Sequence, residues 1–316
     1  MQNPSNTPVG VIGLGAMGKG MAESLRRAGY LVHVYDVRAE VANEFAASGG
    51  VACSSPAHVA QLCQTLISVV VNAEQTEHVL FGSSSGPRGT EAEAKGAAFS
   101  MKKGGVFVMC STVNPAWSIS LEKRLSDMGI LYLDAPISGG AAKAKTGQIT
   151  MMTAGSPKAY AVCEQALNAM SAKVYKLGDK AGLGSKVKVI NQLLAGVHIA
   201  AAAEAMALGI REGVEPQSLY EVITHSAGNS WMFENRMPHV LECDYTPLSA
   251  VDIFVKDLGL VLDMARSSKF PLPLSSTAHQ MFMQASSAGF AKEDDSAVIK
   301  IFPGIDLPKG KSEQKS

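Results

Sequence analysis

Formal net charge is absent: 28 basic and 28 acidic side chains cancel. No overall positive field exists to hold nucleic acid or an anionic lipid surface, and neither is expected as a partner. Short pairs such as Arg26-Arg27 and Lys102-Lys103 read as solvated surface. The five cysteines (Cys53, Cys63, Cys110, Cys163 and Cys243) are odd in number, widely spaced and nowhere in C-x-x-C spacing. That excludes a disulfide framework and a cysteine zinc site. The expectation is buried, reduced thiols in a cytoplasmic protein without a bound metal. "MQNPSNTPVG" lacks the basic-then-apolar layout of a secretory signal. G-x-S-x-G, H-E-x-x-H and G-x-x-x-x-G-K-[ST] do not occur, which leaves hydrolase and kinase readings without support. The most apolar long stretch, Ala195 to Ile210, is interrupted by His198 and Glu204 and reads as a core helix rather than a membrane span.

Apolar residues make up 47% of the 316 and charged residues 18%. A sizeable core can therefore be buried, and the length fits two domains of about 150 residues each. The first half alternates β-rich runs with helical patterns. Strands are expected at 9–15, 31–36, 65–71, 106–112, 131–136, 149–155 and 173–178. Helices between them, at 17–28, 39–48 and 55–64, imply crossover connections and a mostly parallel sheet covered on both faces. Residues 83–98 are rich in Ser, Gly and Ala and read as a mobile loop, not a site. Beyond about residue 180 the spacing predicts helices only, over 183–212, 216–226, 231–241, 250–267, 272–288 and 293–301. A mixed half followed by a helical half argues for two domains, 1–181 and 182–316. The tail 309–316 is expected to fray.

"GLGAMG" sets Gly13, Gly15 and Gly18 in G-x-G-x-x-G spacing between a strand and a helix. Gly13 permits a tight turn, Gly15 lets backbone approach a pyrophosphate, and Gly18 lets helix and strand pack closely. Leu14, Ala16 and Met17 complete the turn. Asp36 closes the next strand, where it can accept hydrogen bonds from an adenosine ribose and repel a 2′-phosphate. That favours NAD over NADP, although Arg38 is near enough to pair with such a phosphate. A tight turn that binds nothing is the bland account.

Lys186 and Lys188 open an apolar helix. Side chains at i, i+3 and i+4 share a helix face. From Lys188 these are the amides Asn191 and Gln192; from Lys186 they are Val189 and Ile190. Lys188 is thus the stronger candidate for general acid–base work, provided burial brings its pKa toward working pH. A lysine snorkelling from the helix flank is the equally weighted alternative.

Four motifs in order resemble the β-hydroxyacid dehydrogenase family, over about residues 9–303. They are "VIGLGAMG" (11–18), "DAPISGGAAKAKTGQIT" (134–150), "GLGSKVKVINQ" (182–192) and "FVKDLGL" (254–260). The resemblance implies an N-terminal Rossmann-type doubly wound α/β sheet followed by an all-α domain. It implies NAD as cofactor, Lys188 as the catalytic base and Lys256 as a cofactor contact. Substrate is implied at Ser138, Gly139, Gly140, Asn191 and Gln192. Many relatives carry Asn-Asn where this chain has Asn191-Gln192, so the substrate hydroxyl is expected to sit differently. The stretches 188–208, 227–240, 244–261 and 292–302 resemble the branch of the family that oxidises the C2 hydroxyl of a small sugar acid. A 3-hydroxyacid dehydrogenase or a tartronate semialdehyde-type reductase is the alternative, and a non-enzymatic dinucleotide-binding scaffold is the rival of another class.

Gly139 and Gly140 are able to offer N–H groups to a carboxylate beside the Ser138 hydroxyl. Thr112 is implied at the nicotinamide end, with Ser111 on the same crevice edge. Val71 and Asn72 are expected to border the cofactor through backbone atoms, with an N-cap as the bland account of Asn72. In 227–236, Asn229, Ser230, Asn235 and Arg236 are expected to discriminate substrates, while Trp231 and Phe233 read as core and His198 as an interior histidine. His225 and His239 lack metal-ligand spacing. Asp294 and Asp295 are expected to cap a helix near Ser296. The long apolar helix 183–212 suggests a homodimer or homotetramer interface.

Overall fold

The computed structural model describes residues 7–82 and 96–309. Most of the expected loop over 83–98, and the tail beyond residue 309, lie outside the described residues. Within the loop, Ala97–Phe99 forms a 3-10 turn with Ala97 and Ala98 buried, so that end of the segment belongs to the core.

The chain folds as two compact units, Met1–Lys188 and Val189–Ser316, divided inside one long helix. The first unit runs β1 (Pro8–Ile12), α1 (Gly18–Arg27), β2 (Leu31–Tyr35), α2 (Ala39–Ala47), β3 (Val51–Ala52), α3 (Pro56–Leu62), β4 (Thr65–Ser68) and α4 (Ala73–Phe81). It continues through β5 (Val106–Met109), α5 (Pro115–Asp127), β6 (Leu131–Asp134), β7 (Ile137–Ser138), α6 (Gly140–Lys145), β8 (Ile149–Gly155), α7 (Pro157–Met170) and β9 (Ser171–Gly178). Sheet order is β3-β2-β1-β4-β5-β6-β8-β7, with β9 paired to β8. The six-strand run from β3 to β6 is parallel and doubly wound.

Alternate residues feed two buried faces. Val9, Val11, Val106 and Val108 join one core cluster, while Ile12, Phe107 and Met109 join the other. This is why the strands read as continuous apolar runs. The parallel run is interrupted at β8, which runs antiparallel to β6 and β7 but parallel to β9. The chain between β6 and β8 contains only a short strand and the six-residue α6, too little for a full helical crossover. Strand ends fall short of the expected spans at 13–15, 69–71 and 110–112, because those residues form the turns that lead to the N-caps of α1, α4 and α5 at Met17, Asn72 and Asn114.

The helices start where local chemistry directs. Ser55 Oγ accepts from His58 N at 3.1 Å, Asn72 Oδ1 from Gln75 N at 2.8 Å and Asn114 Oδ1 from Ala116 N at 2.9 Å. Pro56, Pro115 and Pro157 stand at the first helical positions.

The second unit contains most of α8 (Leu183–Arg211), then α9 (Pro216–Thr224), α10 (Trp231–Glu242), α11 (Val251–Ser268) and α12 (Pro273–Ala285). Its core joins Val189, Ile199, Ala203 and Met206 of α8 to Phe233, Met237, Phe254, Leu258 and Phe282. A Cβ on Gly196 would lie 2.9 Å from Leu258 Cδ2, so that glycine sets the approach of α8 to α11. By length and composition alone α8 is apolar enough to cross a membrane; here one side of it packs into this core.

Three local expectations need correction. The helix expected over 272–288 stops at Ala285 and continues as a π turn through Gly289, whose φ of 100° breaks it. Residues 295–301 form a 3-10 helix rather than an α-helix. Cys243 is exposed, unlike the other four thiols, because it ends α10 in the left-handed conformation at φ 53°.

Candidate active site

The glycine turn is built by sterics. Gly13 has φ +91°, and a Cβ there would meet Val69 O at 2.6 Å. A Cβ on Gly18 would lie 1.8 Å from Gly13 O. These two glycines are therefore demanded by the protein itself. Gly15 is different: a Cβ there would meet nothing within 4 Å, and the residue is exposed. Helical hydrogen bonding starts at Gly15 O, which accepts from Lys19 N at 3.3 Å, and the first N–H groups of a helix have no partner within it. A glycine that the protein does not need, at a helix N-terminus, fits a pyrophosphate approaching from outside. Leu14 is buried, Ala16 is exposed and Met17 is half-buried.

Asp36 follows β2 and folds under the turn. Its Oδ2 accepts from Leu14 N at 2.7 Å, and its Oδ1 accepts from Arg38 N at 3.0 Å and Nε at 3.1 Å. Burial pushes the Asp36 carboxyl up, but the hydrogen bonds from Arg38 and Leu14 and the Arg38 charge outweigh it, and the net direction is down. The carboxylate is thus ionised and fixed, with acceptor capacity left for a ribose hydroxyl. Arg38 is engaged with Asp36 instead of standing apart as a phosphate ligand.

The neighbouring loop ends are mostly occupied by their own architecture. Asn72 spends its side chain on the α4 cap, and Val71 N donates to Gln75 Oε1 at 2.8 Å. The backbone N–H of Val71 is therefore committed within the turn, which leaves its carbonyl as the backbone polar group able to face outward. Ser111 Oγ donates to Val70 O at 2.7 Å and is buried, so it braces the loop instead of facing the crevice. Thr112 is half-buried.

Ser138, Gly139 and Gly140 link β7 to α6. Gly139 (φ 132°) and Gly140 (φ 76°) occupy conformations that favour glycine. Their placement depends on α1. A Cβ on Gly20 would lie 2.6 Å from Lys145 N, and Ser24 Oγ donates to Ala144 O at 3.1 Å. The helix after the phosphate turn thereby fixes the helix after the Ser-Gly-Gly turn.

Lys188 is 7% exposed, whereas Lys186 is exposed. The first turn of α8 is anchored by a residue whose role the sequence did not disclose. Asp134, fully buried at the end of β6, accepts from Gly182 N at 2.8 Å, Ser185 N at 2.9 Å and Ser185 Oγ at 2.6 Å. Burial pushes the Asp134 carboxyl up, and the Ser185 and Gly182 hydrogen bonds only partly offset that. The close fit also explains the glycines ahead of the lysine. Gly182 has φ +105°, and a Cβ on Gly184 would lie 2.5 Å from Met152 O and 2.8 Å from Asp134 O. The available signal was Asp134 opening the Ser-Gly-Gly motif.

In the second unit, Asn191 Nδ2 donates to Gln192 Oε1 at 3.0 Å, and Gln192 Nε2 donates to Asp257 Oδ2 at 2.6 Å. Lys256 Nζ lies 2.5 Å from Asp257 Oδ1. Asp257 is 2% exposed, so this ion pair has its carboxylate inside the unit. Arg236 is buried against Asp295, Nε to Oδ1 at 2.5 Å, and also bonds Asn235 Oδ1. Ser230 caps α10 by accepting from Phe233 N, and Asn229 Nδ2 donates to Thr224 O and Glu234 Oε1. These hydrogen bonds hold the helical unit together. Phe233 is core as expected, but Trp231 is 51% exposed and His198 only half-buried. Asp294 caps Ser296 N at 3.1 Å, while Asp295 pairs with Arg236 instead. Among the described residues no group of three or more His, Cys, Asp or Glu is placed to hold a metal.

Residues 8–178 match the family model for the NAD binding domain of 6-phosphogluconate dehydrogenase. Residues 182–302 match that for the NAD-binding region of NADP-dependent 3-hydroxyisobutyrate dehydrogenase. An L-threonate dehydrogenase of Cupriavidus necator is 63% identical over 96% of this chain and 99% of its own length. One from Escherichia coli K12 is 48% identical over 99% of this chain and all (100%) of its own. A crystal structure described as 3-hydroxyisobutyrate dehydrogenase from Salmonella typhimurium superposes with a TM-score of 0.87 at 48% identity, covering 94% of this chain and 100% of that one. Fold, glycine turn, anchored lysine helix and these likenesses agree: the chain belongs to the β-hydroxyacid dehydrogenase family, enzymes that use a nicotinamide dinucleotide to oxidise a CH–OH group.

Proposed function

We propose that the chain oxidises the C2 hydroxyl of L-threonate to the 2-keto acid, 2-dehydro-L-erythronate, with NAD as acceptor. The substrate follows the printed names of the relatives at 63% and 48% identity. The observation that carries the chemistry is the buried amine of Lys188, 7% exposed at the start of α8.

The Ser138 hydroxyl and the Gly139 and Gly140 N–H groups hold the substrate carboxylate. Lys188, neutral before the reaction, accepts the C2 hydroxyl proton at Nζ. It then carries a positive charge beside the forming carbonyl oxygen, where that charge stabilises the developing negative charge. Asn191 and Gln192 orient the substrate, Lys256 and Thr112 contact the dinucleotide, and Val71 and Asn72 border it. The bound dinucleotide supplies the hydride acceptor. The fixed Asp36 carboxylate selects NAD, because a 2′-phosphate would meet its charge.

Residues 1–181 serve as the cofactor domain and 182–316 as the substrate and assembly domain of a soluble, cytoplasmic enzyme. Ile190, Leu194 and Leu208 leave an apolar stripe exposed on α8, at 51%, 52% and 62%. We assign that stripe to a homodimer or homotetramer interface.

The Salmonella structure's description favours a rival substrate, 3-hydroxyisobutyrate. Following NADH absorbance with purified protein and a panel of hydroxy acids separates the two. L-threonate is expected to give the highest kcat/KM; an equal or higher value for 3-hydroxyisobutyrate overturns the assignment.

A further inference from the structure

One buried carboxylate in the helical unit controls two of the motif residues. Asp257 accepts from Gln192 Nε2 on Oδ2 and forms an ion pair with Lys256 Nζ, which lies 2.5 Å from Oδ1. An ionised carboxylate only accepts hydrogen bonds. The Gln192 amide must therefore turn its NH2 toward Asp257 and its oxygen the other way. That oxygen accepts from Asn191 Nδ2, so Asn191 in turn directs its own oxygen away from Gln192. The two ends of a carboxamide are nearly identical in shape, and only neighbours decide between them. Reversing Gln192 would set its NH2 against the Asn191 NH2 and its oxygen against the carboxylate, and reversing Asn191 would set oxygen against oxygen. The polarity of both amides is thus dictated 65 positions away in sequence, by Asp257.

We propose that Asp257 is a positioning residue that makes Asn191 a hydrogen-bond acceptor for a substrate hydroxyl and at the same time holds Lys256 for the cofactor. The proposal rests on the sugar-acid reading above and extends it to specificity. An outward amide oxygen satisfies a hydroxyl donor on the carbon chain and leaves a methyl group in that place without gain. The device therefore favours polyhydroxylated acids over methyl-bearing ones. It also accounts for Gln192, whose extra methylene lets the amide reach Asp257.

The test uses full-length Asp257→Asn, Gln192→Glu and the double variant, with melting temperature recorded for each. In Asp257→Asn the new amide can accept from Gln192 or donate to it, so both downstream amides are free to reverse. Loss of the charged hydrogen bond is expected to lower kcat/KM for L-threonate by about tenfold or more. Gln192→Glu sets two carboxylates together and is expected to lose as much. In the double variant the carboxylate now at position 192 accepts from the amide now at position 257 and from Asn191, which restores the polarity of Asn191. Its kcat/KM is expected to recover to within about threefold of wild type, the scale of a fraction of one hydrogen bond. NADH affinity, read by fluorescence titration, is expected to stay weakened in both variants that carry Asp257→Asn, because Lys256 has lost its carboxylate. A double variant no better than either single one overturns the proposal, as does equal loss on L-threonate and 3-hydroxyisobutyrate.

Should Asp257→Asn not fold, Gln192→Met removes the relay at similar volume. It is expected to narrow the preference for L-threonate over 3-hydroxyisobutyrate, and an unchanged ratio overturns the idea. If wild type binds NADH yet oxidises no sugar acid, the functional reading fails by itself. The positioning claim is then decided by NADH affinity, which must weaken in Asp257→Asn and hold in Gln192→Met.

Discussion

Lys186 and Lys188 stand on the same turn of α8, one exposed and the other buried. Chemistry is assigned to the buried one. Lys188→Ala is expected to lower kcat by about 10² to 10⁴, the range of general base catalysis, with NADH affinity retained in a fluorescence titration. Lys186→Ala is expected to leave kcat essentially as in wild type. Asp36 supports a second prediction. Its folded-state pKa is depressed, so the stabilisation is full above the ordinary carboxylate range and is lost as pH falls through the lowered value. The melting-temperature gap between wild type and Asp36→Asn should be open at neutral pH and close on acidification below about pH 4. A gap that widened with acid would reverse the sign. The glycine turn and Asp36 were legible in the sequence because their requirements are local: a positive φ, a close approach and an acid at the end of the next strand. Burial of Lys188 was legible only as one of two equal readings, because helical spacing gives a face and not what covers it.

Elements carry the next level of constraint. The start of α8 is held by a carboxylate 48 to 51 positions away, and no spacing rule predicts such a pairing. Asp134→Ala leaves the Gly182 and Ser185 donors buried without their acceptor. A loss of about 1–3 kcal/mol of stability is expected, measurable by denaturant unfolding, together with a fall in kcat as the lysine helix loosens. Gly184→Ala should be at least as harmful, since its new methyl would press on the backbone oxygens of Met152 and Asp134. Seven strands and the first three helices of the first unit were readable from periodicity, whereas the two-residue strands β3 and β7 are too short to show any. The antiparallel direction of β8 was not, because an apolar strand buried on both faces looks the same in either direction. The 3-10 helix at Asp295–Ile301 escaped for a related reason: its apolar residues suit both helix types.

For the whole molecule, the helical unit rests partly on a buried ion pair. Arg236 and Asp295 have side chains only 9% and 0% exposed. Burial raises the Asp295 carboxyl to about 6 even with the Arg236 charge beside it. Arg236→Met should therefore cost about 3 kcal/mol or more, because an unpaired buried carboxylate remains, while substrate preference among residual turnovers stays as in wild type. Sedimentation addresses the assembly: wild type is expected as a dimer or tetramer, and Leu194→Asp with Leu208→Asp as a monomer. The central claim is that Lys188 serves as the base for oxidation of a sugar acid. Its most direct test is NADH formation from L-threonate followed by absorbance across pH, for wild type beside Lys188→Ala. The wild-type rate is predicted to fall on acidification as the amine takes up a proton, and the variant to be nearly inert throughout. An active Lys188→Ala enzyme, or a wild-type rate flat through the acid limb when the chemical step is limiting, would contradict it.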